Sequence, residues 1–257
     1  LRRLRHRPRA AAIYGRRLAT YDCPMAVASN RQSSIHHRQS PLPLAILAIG
    51  RNYAEHAAEM KGQVSEHPVV FMKNPASIIG NGEPIIIPVI CDEPHEHVDY
   101  EGEFAVIIGR VCRDVPRSKA MDFVSGYPIA NDVSARWWQK SGSGGQFVRG
   151  KSFDTFCPMS DIVPRAKIAD PQNLRIVTKL NGEIMQDANT SQMIFPVAQL
   201  VADLSRGMTL LASTIILTGT PAGVGAARTP PRFLRDGDVV EITIDGLGTL
   251  RNPVQHA

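Results

Sequence analysis

The sequence is poorest in long apolar runs. None approaches the ~20 residues that a membrane-spanning helix needs, and the longest early run, Leu44–Ile49, is the length of a buried strand. Cysteine is scarce as well. The four residues, Cys23, Cys91, Cys112 and Cys157, show no CxxC spacing, so neither a thiolate metal site nor a disulfide framework is expected. Reduced thiols inside a cell fit better. Acid is nearly missing from the start of the chain: residues 1–45 hold nine arginines and one acid, Asp22. That segment carries +8 of a net +5, which leaves −3 on residues 46–257. Nucleic-acid binding by the remainder is therefore excluded, despite a basic overall balance.

The Arg-rich stretch has no core-forming pattern. Its composition is that of a mitochondrial transit segment. Because the chain starts on Leu1, the preferred reading is a fragment or upstream extension that does not belong to the fold. Residues 1–44 are assigned to this extension, expected to be disordered, and 45–257 to one folded domain. The location that follows is the cytoplasm or the mitochondrial matrix.

Regular βαβ alternation is also absent. Strand signals dominate: Leu44–Ile49, Val69–Met72, Pro84–Val89, Phe104–Ile108, Leu174–Leu180 and Ile215–Leu217. Asn181-Gly182 marks a tight hairpin. Val240, Ile242 and Ile244 alternate before a turn at Asp245-Gly246 and a return through Leu247–Leu250. Helices are few. Asn52 with Glu55 predicts a capped helix through Met60, Ser118–Val124 predicts another, and Pro196 opens a third whose Val197, Leu200, Val201 and Leu204 share a face up to Gly207. The pattern is a strand-dominated α+β domain.

Two acids stand two apart in Tyr100-Glu101-Gly102-Glu103. In a strand they point to the same side, where like charges repel unless a cation or protons intervene. Asp132 closes a second apolar segment. Three carboxylates without His or Cys beside them suit a hard ion, Mg²⁺ or Mn²⁺. His56 and Glu59 stand three apart on the first predicted helix and share a face, as a general base and its orienting acid would.

Two other motifs are set aside. Gly145–Ser152 matches the phosphate-loop pattern formally, but a flexible segment precedes it and Pro158 follows closely, so a nucleotide site is rejected. His95-Glu96-His97 lacks a suitably spaced third zinc ligand.

Taken in order, several segments resemble the fumarylacetoacetate hydrolase superfamily. They run from Gly50–Glu59 and Lys73–Gly80 through Asp99–Gly109 and Asn131–Gln139 to Gly150–Pro158, Asn181–Glu183 and Leu217–Gly225. Gly150–Pro158 and Thr229–Leu234 look most like the domain-containing protein 2 type. The resemblance implies a mixed β-roll with a few flanking helices, usually a homodimer. It implies one Mg²⁺ or Mn²⁺ on Glu101, Glu103 and Asp132, a lid-borne His56–Glu59 dyad, and Lys151 against the substrate. Arg136, Gln139 and Thr220 would hold its carboxylate or oxo groups. The implied substrate is a small 2-oxo acid or its enol. Acylpyruvate C–C hydrolysis, tautomerisation, isomerisation and decarboxylation all draw on the same residues. A catalytically inactive homologue acting as a binding or scaffold protein is the alternative. Three departures stand out: Trp137 where the family often has Asp, Ser160-Asp161 for Gly-Pro, and Ala212-Ser213 for a Pro-Gly turn.

Overall fold

The computed structural model describes residues 42–92, 94 and 97–257. The extension through Pro41, with Cys23, and the His95-Glu96 pair lie outside the described residues. Two sheets carry the domain. The larger runs Val163–Pro164, Val124–Tyr127, Gly102–Ile108, Ile215–Leu217, Ile46–Gly50, Val69–Lys73, with Ile129–Asn131 added beside Gly102–Ile108. The second has five strands, in the order Glu183–Asn189, Arg175–Leu180, Val239–Ile244, Gly248–His256, Ile85–Ile87. Most neighbours are antiparallel, but Ile46–Gly50 pairs with Ile215–Leu217 in parallel, as does Gly248–His256 with Ile85–Ile87. The expected strand-rich mixed architecture is what forms.

Central position explains composition. All seven residues of Gly102–Ile108 are buried, since the strand is flanked on both edges and covered on both faces, as its continuous apolar run requires. Edge placement shows equally in Val69–Lys73, where Val70 and Met72 are exposed while Lys73 is buried. The hairpin at Asn181-Gly182 has both residues at positive φ, 53° and 85°, the geometry such a turn demands. Val240, Ile242 and Ile244 are buried as their alternation predicts.

Several boundaries move. The first strand begins at Ile46, and the last continues to His256 because its far half finds Ile85–Ile87 as a partner. Residues Arg117–Phe123 form a 3₁₀ turn ahead of the strand Val124–Tyr127. Pro196 is the residue before helix Val197–Ser205, with Val197, Leu200, Val201 and Leu204 buried. Asn52 does not cap the helix Ala54–Glu59, whose N-terminal neighbour is Tyr53. Its side chain instead accepts from Phe195 N at 2.7 Å and donates to Phe195 O and Thr218 O. A helix of six residues is too short to hold itself in water, and these buried bonds fix its start to the body of the domain.

The phosphate-loop lookalike is excluded by its setting. A short helix, Phe147–Gly150, lies inside the motif, and a 3₁₀ turn at Ser141–Ser143 precedes it where a strand would be needed. Cys91 and Cys112 are free thiols, and both are buried, as is Cys157. Among the described residues, no helix is long and apolar enough to cross a membrane.

Candidate metal and acid–base site

Register builds the centre. Strand Gly102–Ile108 pairs antiparallel with Ile129–Asn131, Gly102 facing Asn131. One step further out, the Asp132 N–H donates to Glu101 O at 2.9 Å. Glu101 and Asp132 are thus opposite each other at the end of the ladder, and Glu103 shares the side of Glu101 by the two-residue period. All three are buried, and one oxygen from each lies within 4.8 Å of the others.

At that spacing, each pair of negative charges repels by roughly 3–4 kcal/mol in a medium of effective dielectric ~20. Cations therefore surround the group. Lys151 Nζ donates to Glu101 Oε2 and to Asp132 Oδ2, each at 2.6 Å. Lys73 Nζ donates to Asp132 Oδ1 at 2.6 Å and to Val133 O. Arg136 Nη1 donates to Glu101 Oε1 at 2.6 Å. Glu103 receives no such partner in this set; its Oε2 accepts the Gly219 N–H at 2.7 Å.

The protonation states follow. Burial disfavours ionised Glu101, but Lys151, Arg136 and His56 outweigh it and hold the carboxyl below the usual range. Burial, then the Asp132 and Glu101 charges, push Glu103 well above it, with Lys151 and the Gly219 N–H offsetting only part. Burial opposes the charge on Lys151, yet Asp132 and Glu101 raise its affinity for the proton. One carboxylate of three thus lacks compensating positive charge. An all-oxygen, buried set with that deficit fits a hard divalent ion.

His56 and Glu59, the expected acid–base pair, are in hydrogen-bond contact. His56 Nδ1 lies 2.7 Å from Glu59 Oε1. With the proton on Nδ1 donated to Glu59, the lone pair of Nε2 is left for a substrate proton. The second oxygen of Glu59 accepts the Gly223 N–H at 2.8 Å. His56 is buried, and a proton on its ring would be felt by Glu101, so the pair lies within electrostatic reach of the carboxylates.

One loop ties these parts together. Gly219 serves Glu103, Gly223 serves Glu59, and the Gly225 N–H donates to Asp99 Oδ1 at 2.8 Å. A Cβ on Gly223 would stand 2.0 Å from Met185 O, and one on Gly225 2.0 Å from Arg232 O. Glycine is needed at both for the backbone to approach that closely.

The remaining expected residues are buried beside this centre, with their polar atoms largely committed. Arg136 spends Nε and Nη2 on Asp99 and shares Nη1 between Glu101 and Gln139 Oε1. Gln139 keeps its amide N–H groups. The Thr220 hydroxyl donates to Gly102 O at 2.9 Å and accepts from Gln186 Nε2 at 2.8 Å. Trp137 stacks edge-on against Trp138, centroids 4.7 Å apart, adjacent in sequence to Arg136. Asp99 and Lys73 are participants that motif reading did not single out. The signals existed: Asp99 continues the alternation of Glu101 and Glu103, and Lys73 shares the inward parity of Val69 and Phe71, an odd place for a charge.

Residues 45–255 match the family model described as fumarylacetoacetate (FAA) hydrolase C-terminal. The chain belongs to the fumarylacetoacetate hydrolase family. This family member is 45% identical over 222 residues to oxaloacetate tautomerase YisK of Bacillus subtilis, covering 85% of the present chain and 72% of that protein. It is 45% identical over 213 residues to the mitochondrial oxaloacetate tautomerase fahd2 of Xenopus laevis, covering 82% of the chain and 66% of the relative. Among solved structures it is similar to 5-carboxymethyl-2-hydroxymuconate delta-isomerase from Mycobacterium smegmatis, with TM-score 0.72, 43% identity, and 84% and 80% of the two chains covered. A fumarylacetoacetate hydrolase from Exiguobacterium antarcticum gives TM-score 0.75 and 42% identity, covering 84% and 76%.

Proposed function

We propose that this family member interconverts the keto and enol forms of a small 2-oxo dicarboxylate of the oxaloacetate kind. The observation that carries the reading is the partly buried His56–Glu59 pair, anchored through Gly223 to the loop that also holds Glu103. Keto–enol exchange needs one positioned base to carry a proton to and from carbon, beside a site that tolerates charge on the neighbouring oxygen. The names of the bacterial and frog relatives support the same reaction.

In this reading His56 Nε2 takes the proton from C3 of the keto form. The C3–H electrons form the C2–C3 double bond, the carbonyl pair moves to the oxygen on C2, and that oxygen takes a proton from solvent to complete the enol. Glu59 holds the imidazole by its Nδ1–H and stabilises the imidazolium that results. In the reverse direction the enol O–H proton leaves to solvent as His56 returns a proton to C3. Glu101, Glu103 and Asp132 would hold one Mg²⁺ or Mn²⁺, which would supply Lewis-acid stabilisation of charge on the 2-oxo oxygen. The third N–H of Lys151, the remaining Nη2–H of Arg136 and the Gln139 amide orient the substrate carboxylates. Thr220 acts on the substrate through the loop it anchors. The reading includes a homodimer, for which the exposed Val70 and Met72 of the edge strand offer apolar surface.

The test is a substrate panel with Mg²⁺ and with Mn²⁺: enol-oxaloacetate, acetylpyruvate, fumarylpyruvate and a hydroxydienedioate. Accelerated decay of the oxaloacetate enol absorbance, beyond the metal-only rate, is expected. Cleavage of acylpyruvates with no effect on enol-oxaloacetate would replace tautomerisation by C–C hydrolysis.

A further inference from the structure

One buried carboxylate receives five hydrogen bonds and has no part in the reaction just described. Asp99 is fully buried. Its Oδ1 accepts from Tyr100 N at 2.9 Å and Gly225 N at 2.8 Å. Its Oδ2 accepts from Ala226 N at 2.9 Å and from Arg136 Nε and Nη2 at 2.9 and 2.8 Å. Both oxygens are thus surrounded by donors alone.

Arg136 is only the first step outward. With Nε and Nη2 committed to Asp99, its Nη1 is directed at Glu101 Oε1. Lys151 joins Glu101 to Asp132, and Lys73 ends the row on the other oxygen of Asp132. Asp99, Arg136, Glu101, Lys151, Asp132 and Lys73 therefore form a row of six buried groups that alternate in sign. Two of the three metal carboxylates are its interior negative members. In such a row each charge is held by its neighbours, and loss of one end leaves the next cation buried without its counter-charge.

We infer that Asp99 is a positioning residue for the metal carboxylates, acting through Arg136 to fix Glu101. The inference rests on the proposed metal site and not on the proposed reaction. The physical ground is the donor count. Arg136 has five N–H groups, and Asp99 takes two of them, which fixes the plane of the guanidinium. Nη1 then meets Glu101 in one orientation only. Asparagine cannot replace Asp99, because its amide group must face donors on one side or the other, and the charge opposite Arg136 is lost. Groups that orient metal ligands in this way typically contribute 10–100-fold to metal affinity.

The experiment is Mn²⁺ titration into the metal-free full chain by calorimetry. Asp99→Asn is expected to weaken binding about 10–100-fold. Arg136→Gln is expected to weaken it likewise, and the double variant no further, since the two act as one unit. A purely structural Asp99, serving only the Gly225–Ala226 backbone, predicts a lower melting temperature with unchanged Mn²⁺ affinity, and that result overturns the inference. Should Asp99→Asn not fold, Arg136→Lys carries the test. It keeps the charge but cannot bond Asp99 and Glu101 together, so wild-type affinity there is equally fatal. A wild-type chain that binds no Mn²⁺ overturns the metal site and this inference together. Tight Mn²⁺ binding by a wild-type chain that leaves enol-oxaloacetate untouched overturns the proposed reaction alone.

Discussion

Glu59 Oε2 accepts the Gly223 N–H at 2.8 Å, so the orienting acid of the dyad is pinned to a loop from the far half of the chain. Gly223 has φ +106°, and a Cβ there would meet Met185 O. Gly223→Ala is therefore expected to shift the loop at a cost of roughly 1–3 kcal/mol. Thermal melts should show the loss of stability, and turnover should fall more than Mn²⁺ affinity, because the dyad and not the carboxylates loses its anchor. Equal loss of both would place Gly223 in the metal site.

Removing the dyad and removing a metal ligand should have separable effects. His56→Ala is expected to lower enol–keto exchange by ~10²–10⁴-fold with Mn²⁺ affinity unchanged. Glu59→Gln should cost less, as it keeps shape and a hydrogen bond while losing charge. Glu101→Ala should abolish both metal binding and turnover. Oxaloacetate decarboxylation at the wild-type rate in His56→Ala, with exchange lost, would show that decarboxylation does not use the dyad.

Ser213 occupies the turn where the family often has Gly. Its φ is +65°, in the left-handed region, and it is exposed. Such a conformation costs an L-residue roughly 1–2 kcal/mol relative to the ordinary right-handed one. Glycine does not incur it but is freer when unfolded. Ser213→Gly is expected to stabilise the chain by about 0.5–1 kcal/mol, read from urea unfolding. No change, or a loss, would show that local hydrogen bonding already compensates the strain.

Asp238 gives stability a pH dependence in the acid range. Burial opposes its charge, but hydrogen bonds from Arg232, Asn181 and the Arg235 N–H outweigh it, so its carboxyl lies below the usual value. A group with a depressed folded pKa stabilises the fold above its unfolded value, and that contribution is lost as pH falls through the folded value. Asp238→Asn should thus unfold more easily than wild type at pH 7, and the gap should narrow once pH falls below the ordinary carboxylate value of about 4 and vanish below the depressed folded value. A gap that stays constant with pH would mean that packing, not charge, is what the substitution removes.

Much of this was legible before any fold was known. The two-residue spacing of Glu101 and Glu103 and the i, i+3 spacing of His56 and Glu59 are local facts, and the backbone period turned each into a shared face. Buried strands announced themselves by apolar runs, as in Phe104–Ile108. Asn52 misled for a physical reason. A short polar residue before a helix suits a cap, but this one is buried, and long-range partners at Phe195 and Thr218 claimed its side chain.

Sequence by itself determined the family, the strand-rich class, and the residue types able to hold a hard cation and move a proton. Tertiary structure decided their wiring. Strand register set Asp132 opposite Glu101, and a single loop delivered the amides of Gly219, Gly223 and Gly225 to Glu103, Glu59 and Asp99. Only the fold showed that Arg136 and Lys151 spend most of their donors on buried carboxylates, and that Asp99 and Lys73 end the row. Local spacing specifies which side of an element a residue occupies. Which charges meet across the core depends on pairing between segments tens to more than a hundred residues apart, and burial then compels each charge to find its partner.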